Sequence, residues 1–443
     1  MSVGACEADD AATNRPSQSS SAVLPSVTPY GSGQVPPSDT PIGSASPDRA
    51  EPVWTTQVAD IVEGSDPWLS QVIRGDGTWL VRAIAGDGQS GLVPLDPTTG
   101  TVIGEPAPPT LPEDIFCGER RLRGDVLCAW DDAIHKIDPA TGQMRDKPFA
   151  RVEQLRLLGV EAVEGGALAV GMRGVVPVAA AFGPAGEPRW QIDIAVEGCY
   201  VQNPEYRVSI ASVGREARVS LAAYQFNLDM VSGKVLVGAC GLAAFAPDGS
   251  MAVAQVYGDE PAPPHSYSGP DGSVRTVIDV GSAAQVVGFE QGLKGYFAAT
   301  DDERLRLFDA ASGDLAWTED WQYGRVQAWD AQNLYLSGRY GLSAVRLDNG
   351  RTEWTWAGTP GMAVRTAVLT KSAGLVAATS SGVSGVDPAS GNEIWSIEGP
   401  DLAGWYWAPA GLGPEAAKAG NTVAFIGTGH DTLTRIDAPP LAP

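Results

Sequence analysis

An aspartate three residues before a serine in a tight turn, as in Asp387-Pro388-Ala389-Ser390-Gly391, could set a carboxylate beside a hydroxyl nucleophile. Such a hydroxyl also needs a base, and the chain holds only three histidines, His135, His265 and His430, far apart in sequence. A Ser-His-Asp triad would therefore require convergence that spacing cannot show. There is no G-x-S-x-G elbow, no H-E-x-x-H and no Walker loop. Adjacent carboxylates at Asp131-Asp132 and Asp301-Asp302 could hold a cation or serve a glycosidase. Solvated turn positions account for them more simply. Besides Cys6 the chain has Cys117, Cys128, Cys199 and Cys240 without a C-x-x-C pair, a poor set of metal ligands. Cys117 and Cys128 flank a turn-like spacer, residues 118–125, and could face each other across adjacent strands. Three disulfide connectivities stay open, as do buried free thiols. Disulfides would imply an oxidising compartment.

The elements that position these residues explain most of them. Asp96-Pro97-Thr98-Thr99-Gly100, Asp138 to Gly142, Asp229 to Gly233, Asp309 to Gly313 and Asp387 to Gly391 all read D-x-x-[ST]-G. At average composition that pattern is expected less than about once in a chain this long. The aspartate and the serine or threonine bond their own turn backbone, and the glycine takes positive φ. Shorter copies occur at Gly183-Pro184-Ala185-Gly186, Asp348-Asn349-Gly350 and Gly269-Pro270-Asp271-Gly272. Most steps between marks are 39 to 46 residues, the period of one four-stranded propeller blade. Four residues after the turn glycine stands a tryptophan in four copies: Trp190, Trp317, Trp354 and Trp395. Short alternating strands precede each turn, as in Arg304-Leu305-Arg306-Leu307-Phe308. The expected fold is all-β, a single propeller of four-stranded antiparallel blades. Eight blades are expected, with seven or nine as alternatives, because the mark near 270 lies beside the proline-rich stretch Asp259 to His265.

The two ends complement each other. The last copy, Thr432 to Asp437, is followed only by Ala438-Pro439-Pro440-Leu441-Ala442-Pro443, too proline-rich for a tryptophan strand. Pro52-Val53-Trp54-Thr55-Thr56-Gln57-Val58 supplies that strand from the other end, so these residues are expected to pair with the strand ending at Asp437 and close the ring. The propeller then spans residues 51–437, with 438–443 as a tail.

The repeats resemble those of the PQQ-like, quinoprotein-alcohol-dehydrogenase-like propellers, in which a strand ends in Leu-Asp, a turn ends in Thr-Gly and a tryptophan follows four residues later. Leu95-Asp96 to Gly100, Phe308-Asp309 to Trp317 and Val386-Asp387 to Trp395 carry the resemblance. It implies that Trp190, Trp317, Trp354 and Trp395 dock neighbouring blades and bind no cofactor. The family's enzymes hold pyrroloquinoline quinone and calcium in the central funnel; no segment here matches those ligands, and the chain has no adjacent cysteine pair. Its other branch comprises non-enzymatic surface lipoproteins that act as docking platforms.

The start of the chain looks like this second branch. Val3-Gly4-Ala5-Cys6 is similar to the end of a bacterial lipobox, with Cys6 as the lipidated residue. Residues 1–50 are rich in Ser, Pro and Thr and poor in large apolar side chains, the composition of a flexible tether. The expected history is a leader removed, or a start codon misassigned, ahead of Cys6. With 53 acidic residues against 30 Lys and Arg, the net charge of −23 disfavours nucleic acid. No apolar run reaches the ~20 residues of a membrane helix, which leaves a lipid anchor as the expected route to a membrane.

The functional expectation is a monomeric, extracytoplasmic binding scaffold without cofactor, taking an envelope protein or glycan as partner. The alternative is a quinoprotein-like dehydrogenase, or another enzyme, with its site in the funnel. The cluster Trp405, Tyr406 and Trp407, with Trp321 and Tyr323, departs from the repeat and is the candidate partner surface. Inner-strand packing is the plainer account of those rings.

Overall fold

The computed structural model describes residues 48, 49 and 51–437, less a set of connecting segments that includes 195–207, 255–264, 269–273, 279–284, 288–295, 301–303, 321–324 and 399–421. The described residues are strands and their turns, with one 3₁₀ turn at Val58–Asp60. Hydrophobic alternation and the D-x-x-[ST]-G turns generate successive antiparallel sheets, nine among the described residues. Numbered in chain order by their first strands, they begin at Trp68–Ile73, Phe116–Leu122, Arg156–Val163, Val208–Val213, Leu242–Phe245, Gln285–Val287, Arg325–Trp329, Thr366–Thr370 and Thr422–Ile426. Sheets 2 to 7 have four strands in sequence order. Sheet 1 has three, with a bridge from Leu95 to Val102 in place of the fourth.

This is a propeller, and the nine sheets of its described residues fall within the seven to nine blades that the sequence allows. The mark near 270 belongs to a sheet of its own, the fifth, formed by Leu242–Phe245, Met251–Ala254, His265–Ser268 and Val274–Ile278. The proline-rich stretch beside that mark precedes His265 and lies outside the described residues.

Ring closure follows the expected register. Trp54–Gln57 pairs antiparallel with Thr432–Asp437, Trp54 opposite Arg435 and Thr56 opposite Leu433, so a strand from before sheet 1 completes sheet 9. Trp54 and Leu433 then enter one apolar cluster with Leu69, Val81 and Val93 of sheet 1. Other clusters join sheet 1 to 2 through Leu80, Leu92 and Val126, sheet 3 to 4 through Val170 and Phe226, and sheet 8 to 9 through Val376 and Ile436. Each sheet alone has an apolar face to bury, and stacking against the next one buries it.

The turn aspartates and glycines have the roles their pattern suggests. Asp96, Asp138, Asp229 and Asp387 accept from the backbone N–H two residues on, and Asp309 from that of Ser312. Gly100, Gly142, Gly233, Gly313 and Gly391 all have positive φ. Asp387 and Ser390 are hydrogen-bonded to each other at 2.6 Å within the turn, so the pairing that could suggest a nucleophile is turn geometry.

Candidate functional site

The tryptophans that follow the turns are blade-docking residues. Trp190 Nε1 donates to Met230 O at 3.0 Å, Trp317 to Leu347 O at 2.8 Å, and Trp354 to Pro388 O at 3.0 Å. In each case the ring also lies on the turn glycine of the following sheet: a Cβ at Gly233, Gly350 or Gly391 would come within 2.6 to 2.8 Å of the indole. Trp54 does the same at the closing seam, donating to Pro97 O at 2.9 Å, where Arg435 of sheet 9 also donates. Trp395 is the exception. It is wholly buried, but its ring lies over Gly385 of its own sheet, and Nε1 has no hydrogen-bond partner among the described residues.

The repeat breaks most informatively at the first strand of sheet 2. First strands of neighbouring sheets pack together, 116–122 against 156–163 and 156–163 against 208–213, so they line the inside of the ring. Between Cys117 and Arg121 the register of Phe116–Leu122 shifts, leaving Gly118, Glu119 and Arg120 as a bulge. Glycine is required at its base, since a Cβ on Gly118 would lie 2.6 Å from Val160 O. The N–H groups freed by the bulge need acceptors, and the neighbouring sheet supplies one side chain for both. Glu161 accepts from Glu119 N at 2.9 Å and from Arg120 N at 2.8 Å, as well as from Ala162 N at 3.1 Å.

Glu161 is 6 % exposed. Burial pushes its carboxyl up to about 7, against the two bulge N–H groups that favour the charged form. The bulge is tied on its other sides too. Gln71 Nε2 of sheet 1 donates to Cys117 O at 3.0 Å, and Cys117 is disulfide-bonded to Cys128 on the adjacent strand. Arg121 donates to Thr78 O at 3.2 Å, and Arg120 reaches past sheet 3 to Ser212 Oγ of sheet 4 at 2.7 Å. The outcome is a rigidly framed segment whose two charged side chains, Glu119 and Arg120, are exposed. No signal in the sequence marks Glu161, because its meaning lies in a strand some forty residues earlier.

Nearby, Trp130 and His135 stack at 3.7 Å with an interplanar angle of 6°. His135 is buried, and desolvation first, then Arg151, lowers the pKa of its imidazole. Asp132 is bound to Arg151 at 2.9 Å and Asp131 occupies a positive-φ turn position, so this carboxylate pair is a turn with an ion pair. Among the described residues no group of His, Cys, Asp and Glu is placed to hold a metal, and no helix is long and apolar enough to cross a membrane. Cys6, Cys199, Asp301, Asp302, Trp321, Tyr323, Trp405, Tyr406 and Trp407 lie outside the described residues. Cys240 closes the strand Val235–Cys240, its backbone opposite Tyr224.

No family model matches the chain, and no curated protein does. Solved structures similar to it include BamB from Moraxella catarrhalis, 13 % identical, covering 88 % of this chain and 99 % of that one with a TM-score of 0.48. The C-terminal WD40 domain of Sif2 is 9 % identical, with 88 % and 99 % covered and a TM-score of 0.44. The computationally designed Ika8 protein is 13 % identical, with 76 % and 98 % covered, also at 0.44.

Proposed function

We propose that this protein is a non-enzymatic binding propeller of the bacterial cell envelope, carried on a lipid at Cys6 and held off the membrane by the tether of residues 7–50. The observation that supports a binding role is the bulge at Gly118–Arg120. The repeat residues are consumed by turn capping and blade docking, whereas this segment departs from the repeat, is fixed by three neighbouring sheets and a disulfide, and presents Glu119 and Arg120 to solvent. A rigid frame with two exposed opposite charges suits recognition of a folded polypeptide partner, because little entropy is lost when it binds. The aromatic cluster at Trp405, Tyr406 and Trp407 is the second surface assigned to that partner, and its composition is that of interface anchors.

The test is affinity capture from native envelope with the wild-type chain, with Glu119→Ala/Arg120→Ala and with Trp405→Ala/Trp407→Ala. A partner retained by the wild type and lost from either variant at unchanged fold supports the reading. Mass spectrometry of the N-terminal peptide checks for a diacylglycerol on Cys6. Stoichiometric, tight calorimetric binding of pyrroloquinoline quinone with Ca²⁺ overturns the reading in favour of an enzyme.

A further inference from the structure

The seam between sheets 8 and 9 is built differently from the seams that carry a docking tryptophan. Trp54, Trp190, Trp317 and Trp354 each donate to a main-chain carbonyl of the next turn. Trp395, at the same offset from its turn, is folded back over Gly385 with its Nε1 buried and unpartnered among the described residues. Apolar contact remains there, chiefly Val376, Trp395 and Ile397 with Ile436. Among the described residues the indole makes no directional bond across the seam.

The N-terminal segment crosses the ring at this place. Asp48–Arg49 adds in parallel to the outer edge of Glu393–Glu398, with Asp48 opposite Trp395 and Arg49 opposite Ser396. Five residues later Trp54–Gln57 pairs with sheet 9. Trp54 then donates to Pro97 O, and Thr56 Oγ1 to Gly100 O at 2.8 Å, in sheet 1. Ten residues, 48–57, are thus bonded in turn to sheets 8, 9 and 1. The unpartnered indole and the added parallel strand are separate observations, and they fall on the same residue.

We propose that residues 48–57 are a strap that takes over the missing docking bond between sheets 8 and 9, making this seam the place where the ring opens when the strap is released. In chain order the strap follows residues 1–47 and precedes sheet 1. A pull on the tether, or its cleavage just before Pro52, therefore acts first on the Asp48–Arg49 pairing and hence on this seam. The inference does not depend on lipidation of Cys6 or on the identity of any partner.

Hydrogen exchange followed by mass spectrometry tests it on the full chain with Asp48→Pro/Arg49→Pro, which removes both N–H groups of the added strand. The expected result is exchange faster by roughly tenfold or more in 393–398 and 422–437, with 166–182 and 333–346 unchanged. A chain beginning at Pro52 removes the same pairing without introducing proline and is expected to give the same local pattern. Unchanged exchange at 393–398 and 422–437 in both variants overturns the proposal. So does acceleration spread equally over all sheets, which would mean that the seam is not special.

Discussion

Replacing Trp354 and Trp395 separately by phenylalanine measures what the docking bond contributes. Both substitutions remove the pyrrole portion of the ring and its N–H. In Trp354→Phe the lost N–H was bonded to Pro388 O at 3.0 Å, so the variant forfeits a hydrogen bond of about 0.5–1.5 kcal/mol in addition to some apolar contact. In Trp395→Phe the lost N–H was buried and unpartnered among the described residues, and its removal relieves a desolvation cost of about 1–3 kcal/mol. Trp395 is the more deeply buried of the two, and shrinking it costs about 1–2 kcal/mol of apolar burial. The expected outcome is that Trp354→Phe destabilises by about 1–2 kcal/mol while Trp395→Phe is within about 1 kcal/mol of wild type. Urea unfolding followed by far-ultraviolet circular dichroism provides the measurement, with a second probe to establish a single transition and an unchanged slope. A loss at Trp395→Phe that equals or exceeds the loss at Trp354→Phe would refute the reasoning, because it would mean that Nε1 of Trp395 makes a bond of its own.

Further outcomes follow from the same geometry. Gly391→Ala is expected to cost at least about 2 kcal/mol more than Gly77→Ala in the same urea assay: both glycines have φ above +70°, but only at Gly391 would the new methyl meet an indole, that of Trp354, at 2.6 Å. Glu161 has its folded pKa raised from 4.5 to about 7, so its contribution to stability is complete below about 4.5 and is lost as pH rises through 7, a change of about 3 kcal/mol. Glu161→Gln should flatten that slope in stability measured from pH 4 to 8. Cys117→Ala/Cys128→Ala opens a cross-link between residues 11 apart and is expected to lower stability by about 2–3 kcal/mol, read as a lower urea midpoint than that of the oxidised wild type.

What was legible in the sequence is what local chemistry fixes. The turn Asp387 to Gly391 declares itself because a carboxylate, a small residue and a positive-φ glycine at fixed spacing suffice to define it. Trp54 could be assigned to the last blade because a strand was missing at one end and present at the other. Long-range geometry was not legible. Trp354 and Trp395 stand in the same motif, yet Trp354 donates to Pro388 O and Trp395 Nε1 has no partner among the described residues. Glu161 reads as one glutamate in an apolar strand until the bulge of another sheet is placed against it. Gly142 and Gly186 receive no tryptophan: their places are filled by Leu92 O with Pro94 and by Phe149, contacts that no spacing rule announces. The sheet around residue 270 is poorly legible because proline nearby lowers a strand's credibility, although its four strands, Leu242–Phe245, Met251–Ala254, His265–Ser268 and Val274–Ile278, contain none.

The docking tryptophans donate to main-chain carbonyls: Pro97, Met230, Leu347 and Pro388 act as acceptors regardless of their side chains. Recognition between neighbours therefore asks almost nothing of the recipient beyond a glycine at the end of its turn. A gene segment encoding one unit, duplicated and inserted anywhere in the array, would carry its own plug and its own socket. Growth of the ring by whole units then needs no matched pair of substitutions, and an odd total is as accessible as an even one. The constraint falls on the closing sheet, where the strands Trp54–Gln57 and Thr432–Asp437 come from distant parts of the polypeptide and have to be maintained together.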